Sequence, residues 1–292
     1  MSTHQLAFWI LRISVGLVFF GRGYQHLRWD VPYGALFRSE FLLGPLVQRL
    51  GGQWQRFANA PGTERWLDQL SVVMGLFFIA CGVLALWHHP AVSRFRRTRV
   101  ALLLAGGWAL LGLAALSWLD SGLKSAMFIE HASQFMGPMV LVYAARADAF
   151  EGIAAYLARL AIALTFAGHG AFALGWYGVS GHFVIMTMNI LGVQEVMAIR
   201  LLFLAGVFDM VVAVWVVMGI FRPRTDRVAL MYAALWGTTT AFARLWSGID
   251  AGMLLWGLDL WLHETAFRLI HGGLPLALYL IHREDGEETK TS

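Results

Sequence analysis

The chain has 292 residues, 58% of them apolar and only 14% charged, with a formal net charge of +4, 31 glycines and 13 tryptophans. So apolar a composition excludes an ordinary soluble domain and points to an integral membrane protein. The single cysteine, Cys81, excludes disulfides within the chain and CxxC chemistry, and a charge balance set by short basic loops gives no case for nucleic acid.

Runs long enough for the roughly 20 residues that a helix needs to cross a bilayer fall at 6–27, 70–87, 99–119, 127–145, 155–176, 198–221, 227–246 and 260–281. The expected fold is an all-α, polytopic membrane helical bundle of about eight spans. The first run has no basic n-region and no small-residue cleavage site, so it reads as a structural helix rather than a signal peptide. It ends in GRGYQHLRWD (21–30), which sets Arg22 and His26 one turn apart where hydrocarbon should be ending. No Gly-rich phosphate loop is present, because the glycines are scattered through apolar runs, where small residues let helices pack closely. The segments HHPAVSRFRRTR (88–99) and RPRTDR (222–227) are short and Arg-rich, which places them in the cytoplasm. This predicts an inner (plasma) membrane protein with both termini inside and outer loops at 28–69, 120–126, 177–197 and 247–259. The closing HREDGEETKTS predicts a polar, disordered cytoplasmic tail over 283–292.

The chain also repeats itself. RISVGLVFFGRGYQHL (12–27) lies over RLAIALTFAGHGAFAL (159–174), matching Arg12 to Arg159, Gly21 to Gly168 and Gly23 to Gly170. RVALLLAGGWALLGLAALSW (99–118) lies over RVALMYAALWGTTTAFARLW (227–246), and IEHASQFMGPMVLVYA (129–144) resembles HETAFRLIHGGLPLALYLI (263–281), each with an acid near its start and a Gly/Pro break beyond it. The expectation is two four-helix units, 1–147 and 148–282. An even number of spans per unit makes the two run parallel, related by an axis along the membrane normal.

On this map nearly every ionisable residue inside a span lies in the outer leaflet. Arg22 and His26 end the first helix, and Glu130, His131 and Gln134 open the fourth. The second unit carries His169, Arg244, His263, Glu264, Arg268 and His271. Their helical spacings are one-sided, and such groups are costly against lipid, so they are expected to face the bundle interior and pair there, Arg22 with Glu130 and Glu264 with Arg244 or Arg268. Glu130, Glu264, His26 and His131 are the candidate proton-handling residues; Arg22, His169, Arg244, His263 and His271 are candidates for ligand binding. Plainer roles exist for each: Arg22 and His26 as an interfacial anchor beside Trp29, the two Glu in structural ion pairs, His169 and His271 bonded to carbonyls. Arg12 and Arg159 are expected to snorkel to the cytoplasmic headgroups. The role of Asp209, mid-span and without a counterpart in the first unit, stays open.

Four ligand chemistries suit such a cluster. A metal needs three or four converging His or carboxylate ligands, and no HExxH or ExxH spacing fixes them. A haem needs axial imidazoles on facing helices, for which His169 and His271 are the pair to test. A quinone needs donors to its carbonyl oxygens and a carboxylate or imidazole proton route, which Arg, His and Glu at this depth supply. A transport pathway needs polar residues continuing inward, and almost none follow.

The first-helix stretches RISVGLVFFGRGYQHL and RLAIALTFAGHGAFAL, each opening a four-helix apolar unit, resemble the DoxX-like membrane proteins, through Arg12, Gly21, Gly23, Arg159, Gly168 and Gly170. The resemblance covers nearly the whole chain as two fused units. It implies a quinone-facing subunit of a redox system, since the family includes the membrane subunit of a thiosulfate:quinone oxidoreductase, and hence other membrane or periplasmic redox subunits as partners besides the lipid bilayer. The chain departs from the pattern in its duplication, in His26 and His169, and in lacking an attached soluble redox domain. The segment RWDVPYGALFRSEFLLGPL (28–46) is similar to the membrane domain of vitamin K-dependent carboxylase-like proteins, which implies a quinol cosubstrate. The alternatives are a non-catalytic membrane scaffold or assembly partner, and a protein handling small solutes or metal ions.

Overall fold

The computed structural model describes residues 2–87, 93–147, 150–222, 225–249 and 251–291; parts of both basic segments, 88–92 and 223–224, lie outside the described residues. Among the described residues all regular structure is helical. The chain opens with α1 (Thr3–Arg28), started by a capping box in which the Ser2 hydroxyl accepts from the Gln5 amide and the Gln5 side chain accepts from Ser2 N–H. Three short helices follow, α2 (Tyr33–Phe37), α3 (Glu40–Arg49) and α4 (Trp54–Ala58), in a segment read from sequence only as a loop. Pro61, preset for the first helical turn, opens α5 (Pro61–Leu86), well before the expected start at 70. Next come α6 (Ser93–Asp120), α7 (Ser125–Ile129), α8 (Ala132–Ala147) and α9 (Gly152–Ala173). A cap helix, α10 (Gly181–Leu191), precedes α11 (Glu195–Phe221) and α12 (Arg227–Gly248), and the chain closes with α13 (Leu254–Arg268) and α14 (Ile270–Thr291). The last helix runs on through the expected tail.

Five helices among the described residues, α1, α5, α6 from Arg96, α9 and α11, are long and apolar enough to cross a membrane, which fits a bilayer environment. The other expected spans fall outside that set for visible reasons. Helix α12 carries Arg244 and the run Thr238–Thr239–Thr240, and 127–145 and 260–281 are each split in two, at Glu130–His131 and at Leu269. The breaks fall at or after the acids rather than at the Gly/Pro positions. Pro138 and Pro275 instead sit inside α8 and α14, where each leaves the carbonyl four residues back, on Gln134 and His271, without its helical donor.

Helices α1 and α9 each pack on the long helix that follows and on a helix pair that is broken in two. Helix α1 lies on α5 and on α13–α14, whereas α9 lies on α11 and on α7–α8. The matched glycines make these approaches possible. A Cβ on Gly21 would stand 2.7 Å from the His263 carbonyl of α13, and one on Gly168 would stand 2.6 Å from the Glu130 amide. Gly23 and Gly170 do the same toward α5 and α11, with Gly75 O at 3.0 Å and Gly206 O at 3.1 Å.

Arg12 and Arg159 do not snorkel. They are only 6% and 4% exposed, Arg12 donating to the Trp87 carbonyl at the end of α5 (3.3 Å) and Arg159 bonding Asp226 at the start of α12 (2.8 Å). A loop group within reach satisfies each guanidinium, so neither needs headgroups. Cys81 is buried, its thiol donating to the Leu102 carbonyl at 3.5 Å.

Candidate functional site

The polar residues picked out by sequence do gather at one end of the bundle, around a chamber of about 910 Å³. Its walls bring together Arg22 of α1, Glu130 and His131 from the α7–α8 break, Arg244 of α12, and Glu264, Phe267 and Arg268 of α13. Arg22, Glu130 and His131 are each less than a tenth exposed, so the charge is held within the protein rather than against lipid.

Partner choice differs from expectation at Arg22. Its Nε and Nη2 both donate to the Gln134 side-chain oxygen (3.1 and 2.6 Å), its Nη1 donates to Gln25 (2.8 Å), and its Cζ lies 3.9 Å from the centre of the Phe267 ring. Glu130 is not its partner. The amide one turn beyond Glu130 takes that place, because α8 presents Gln134, not Glu130, to the end of α1. The other expected pairing holds with both cations, since Arg244 and Arg268 meet the same Glu264 oxygen at 2.9 and 2.6 Å.

Glu130 is left with imidazoles. His131 Nδ1 and His169 Nε2 both stand 3.9 Å from its oxygens, and His169, whose Nε2 is not otherwise engaged, is the one a bridging water can join to the carboxylate. His131 also bonds the Met127 carbonyl through Nδ1 (2.7 Å). His169 packs edgewise on His271, with ring centres 5.1 Å apart. The row His131, Glu130, His169, His271 thus leads from the chamber into the bundle.

Two sequence candidates stand elsewhere. His26 is occupied at both ring nitrogens, by the Arg22 carbonyl (2.6 Å) and the Tyr33 hydroxyl (2.9 Å), so it fixes Tyr33, which lines the chamber, and does not line it itself. Burial pushes the Tyr33 phenol up from its ordinary pKa, keeping it a neutral hydrogen-bonding group. His263 stacks on Trp29 at 6.3 Å and 15° and borders neither cavity. Gln25, Tyr33 and Phe267 were missed by sequence reasoning. Tyr33, seven residues past His26, lies beyond the helix end, where periodicity gives no signal, and Phe267 is one aromatic among many.

A second cavity of about 300 Å³ shares Arg244, Arg268 and Phe183 with the chamber and runs between α9, α10, α11 and α12. Its wall is largely apolar, interrupted by His169, Asp209, His271, the two arginines and the hydroxyls of Thr187, Thr239 and Thr240. Helix α10, which covers it, is bounded by Gly175, Gly178 and Gly192, all with φ between 64° and 80°, where a side chain would strain the backbone.

Among the described residues no three His, Cys, Asp or Glu side chains converge as ligands. The edge contact of His169 with His271 leaves no room for a macrocycle between them. No family model, curated protein or solved structure matches the chain.

Proposed function

We propose that this chain is a quinone-interacting subunit of a membrane redox system, built as two parallel DoxX-like units of four spans with the chamber opening on the outer face. The observation that carries this reading is the row from His131 through Glu130 to His169, which joins the chamber to the second cavity with both imidazoles 3.9 Å from one buried carboxylate. A bound quinone supplies exchange of electrons and protons. The chain's own residues orient it and carry the proton. Arg244 and Arg268 face both cavities and can donate to a carbonyl oxygen, while Glu130 and its imidazoles pass a proton toward water. The basic segments at the opposite end support the outward orientation.

The test is quinone content and affinity. Full-length protein purified in mild detergent is expected to yield quinone on solvent extraction and to show tryptophan quenching by a short-chain benzoquinone. Glu130→Gln should keep the ligand and lose quinone-dependent proton uptake by tenfold or more, the usual span of general acid–base catalysis being ~10²–10⁴. Absence of quinone from the extract together with no quenching overturns the reading. A scaffold role is favoured by one observation: Arg22–Gln134 ties α1 to α8, and Glu264 ties α12 to α13. On that reading Glu130→Gln changes nothing but stability.

A further inference from the structure

Asp209 has no place in the row just described, although it is 5% exposed in the middle of α11. One of its oxygens, Oδ1, is buried without a hydrogen-bond partner, and so is Nε2 of His271, itself 3% exposed. Both residues line the second cavity. Two buried polar atoms left unsatisfied in one pocket are each costly unless something enters to meet them.

The pocket's shape says what could. Its most exposed lining residues are Leu191 at the end of α10 and Thr239 on α12, so it opens at the side of the bundle, toward lipid. Phe166, Phe183 and Trp236 offer aromatic faces to a ring, and the Trp236 indole reaches the Asp209 carboxyl. The volume, about 300 Å³, suits a single substituted ring and the beginning of a tail. A hydroxyl both donates and accepts, so it can satisfy a carboxyl oxygen and an imidazole nitrogen; a fatty-acid carboxylate only accepts.

We propose that the side pocket between α9, α10, α11 and α12 is the seat of the membrane-soluble ligand, a quinol ring entering from the bilayer, with Asp209 and His271 holding its hydroxyls. The inference rests on the quinone reading for the class of ligand and on the pocket itself for the place. It also gives Asp209, which the first half of the chain lacks, a reason to exist: the protein has one such seat, on the side of α11.

Binding of a decyl-hydroquinone to full-length protein in detergent, read by tryptophan quenching, tests it. Ala205→Phe fills the pocket and is expected to weaken binding by tenfold or more, or ~1.4 kcal/mol. Asp209→Asn, which keeps the volume, should weaken it several-fold with the melting temperature of the free protein unchanged. Unaltered affinity in both variants, with loss in Arg22→Lys, puts the ligand in the chamber and overturns this inference while the quinone reading stands. No binding to the unaltered protein and no quinone in its extract overturns the quinone reading itself. Displacement by dodecanoate in preference to the hydroquinone overturns the ligand class.

Discussion

At the scale of single residues, the two carboxylates of the cluster occupy different energetic positions, and the difference is measurable. Glu264 accepts from Arg244 and Arg268 at one oxygen, so Glu264→Gln leaves two guanidinium groups facing each other. Its side chain is 24% exposed, and solvent screening trims the cost of a fully buried break to about 1–3 kcal/mol. The melting temperature in detergent should fall accordingly, by several degrees. Glu130→Gln breaks no ion pair to a guanidinium and should leave the melting temperature within a degree or so, about 0.5 kcal/mol. Equal drops in the two variants would assign both acids the same structural duty. A double-mutant cycle between Arg22 and Gln134 should show coupling above ~1 kcal/mol, whereas Arg22 with Glu130 should be close to additive. Asp259, just before the expected span at 260–281, accepts from the Tyr24 hydroxyl near the end of α1, and this bond, with Arg28 nearby, holds its carboxyl below the ordinary value. A depressed folded pKa adds stability above the unfolded value near 4, and that contribution is lost as pH falls through the folded value. Tyr24→Phe should therefore lose less stability than the unaltered protein when melting is compared at neutral and acid pH. Spacing in the sequence was enough to collect the cluster, because i,i+4 acids and bases on apolar helices have nowhere else to go. The choice of Gln134 over Glu130 depends on how α8 is turned about its axis, which no local pattern encodes.

At the scale of elements, the glycines at the crossings set the spacing of the bundle. Gly21→Ala and Gly168→Ala each drive a methyl into backbone atoms, at 2.7 Å from His263 O and 2.6 Å from Glu130 N. Neither neighbour is a flexible side-chain end that can yield. Each variant should be destabilised by about 1–3 kcal/mol, the usual cost of overpacking. Gly62→Ala, near the start of α5 with open space around it, is the control and should be neutral or slightly stabilising. Melting in detergent checks all three together. The helices themselves were legible because an apolar run near bilayer length leaves little alternative. The breaks at Glu130–His131 and Leu269, and the short helices α2, α3, α4 and α10, were not. They are decided by what the segment meets in three dimensions, as when the break at Glu130 lets its amide approach Gly168.

For the whole molecule, the proposed orientation can be read with introduced cysteines, because the native Cys81 is 1% exposed and silent to an impermeant reagent. Cysteines at Thr98 and Thr225 should resist labelling in intact cells, and one at Asn59 should react. The reverse pattern would turn the chamber to the cytoplasm. The capture of Arg22 also has a consequence in time. Its partner Gln134 lies 112 residues further along the chain. At ~5–20 residues per second the ribosome needs on the order of ten seconds to deliver it. Throughout that interval the Arg22 guanidinium has Gln25, one turn along α1, to donate to through Nη1, while Nε and Nη2 wait for Gln134. Arg28 and Trp29 sit just beyond, where a long side chain can reach the interface and ease the ~2.5–3.5 kcal/mol that a charge costs deeper in the bilayer. The contact that ties α1 to α8 is therefore one that the chain can close only late in its synthesis.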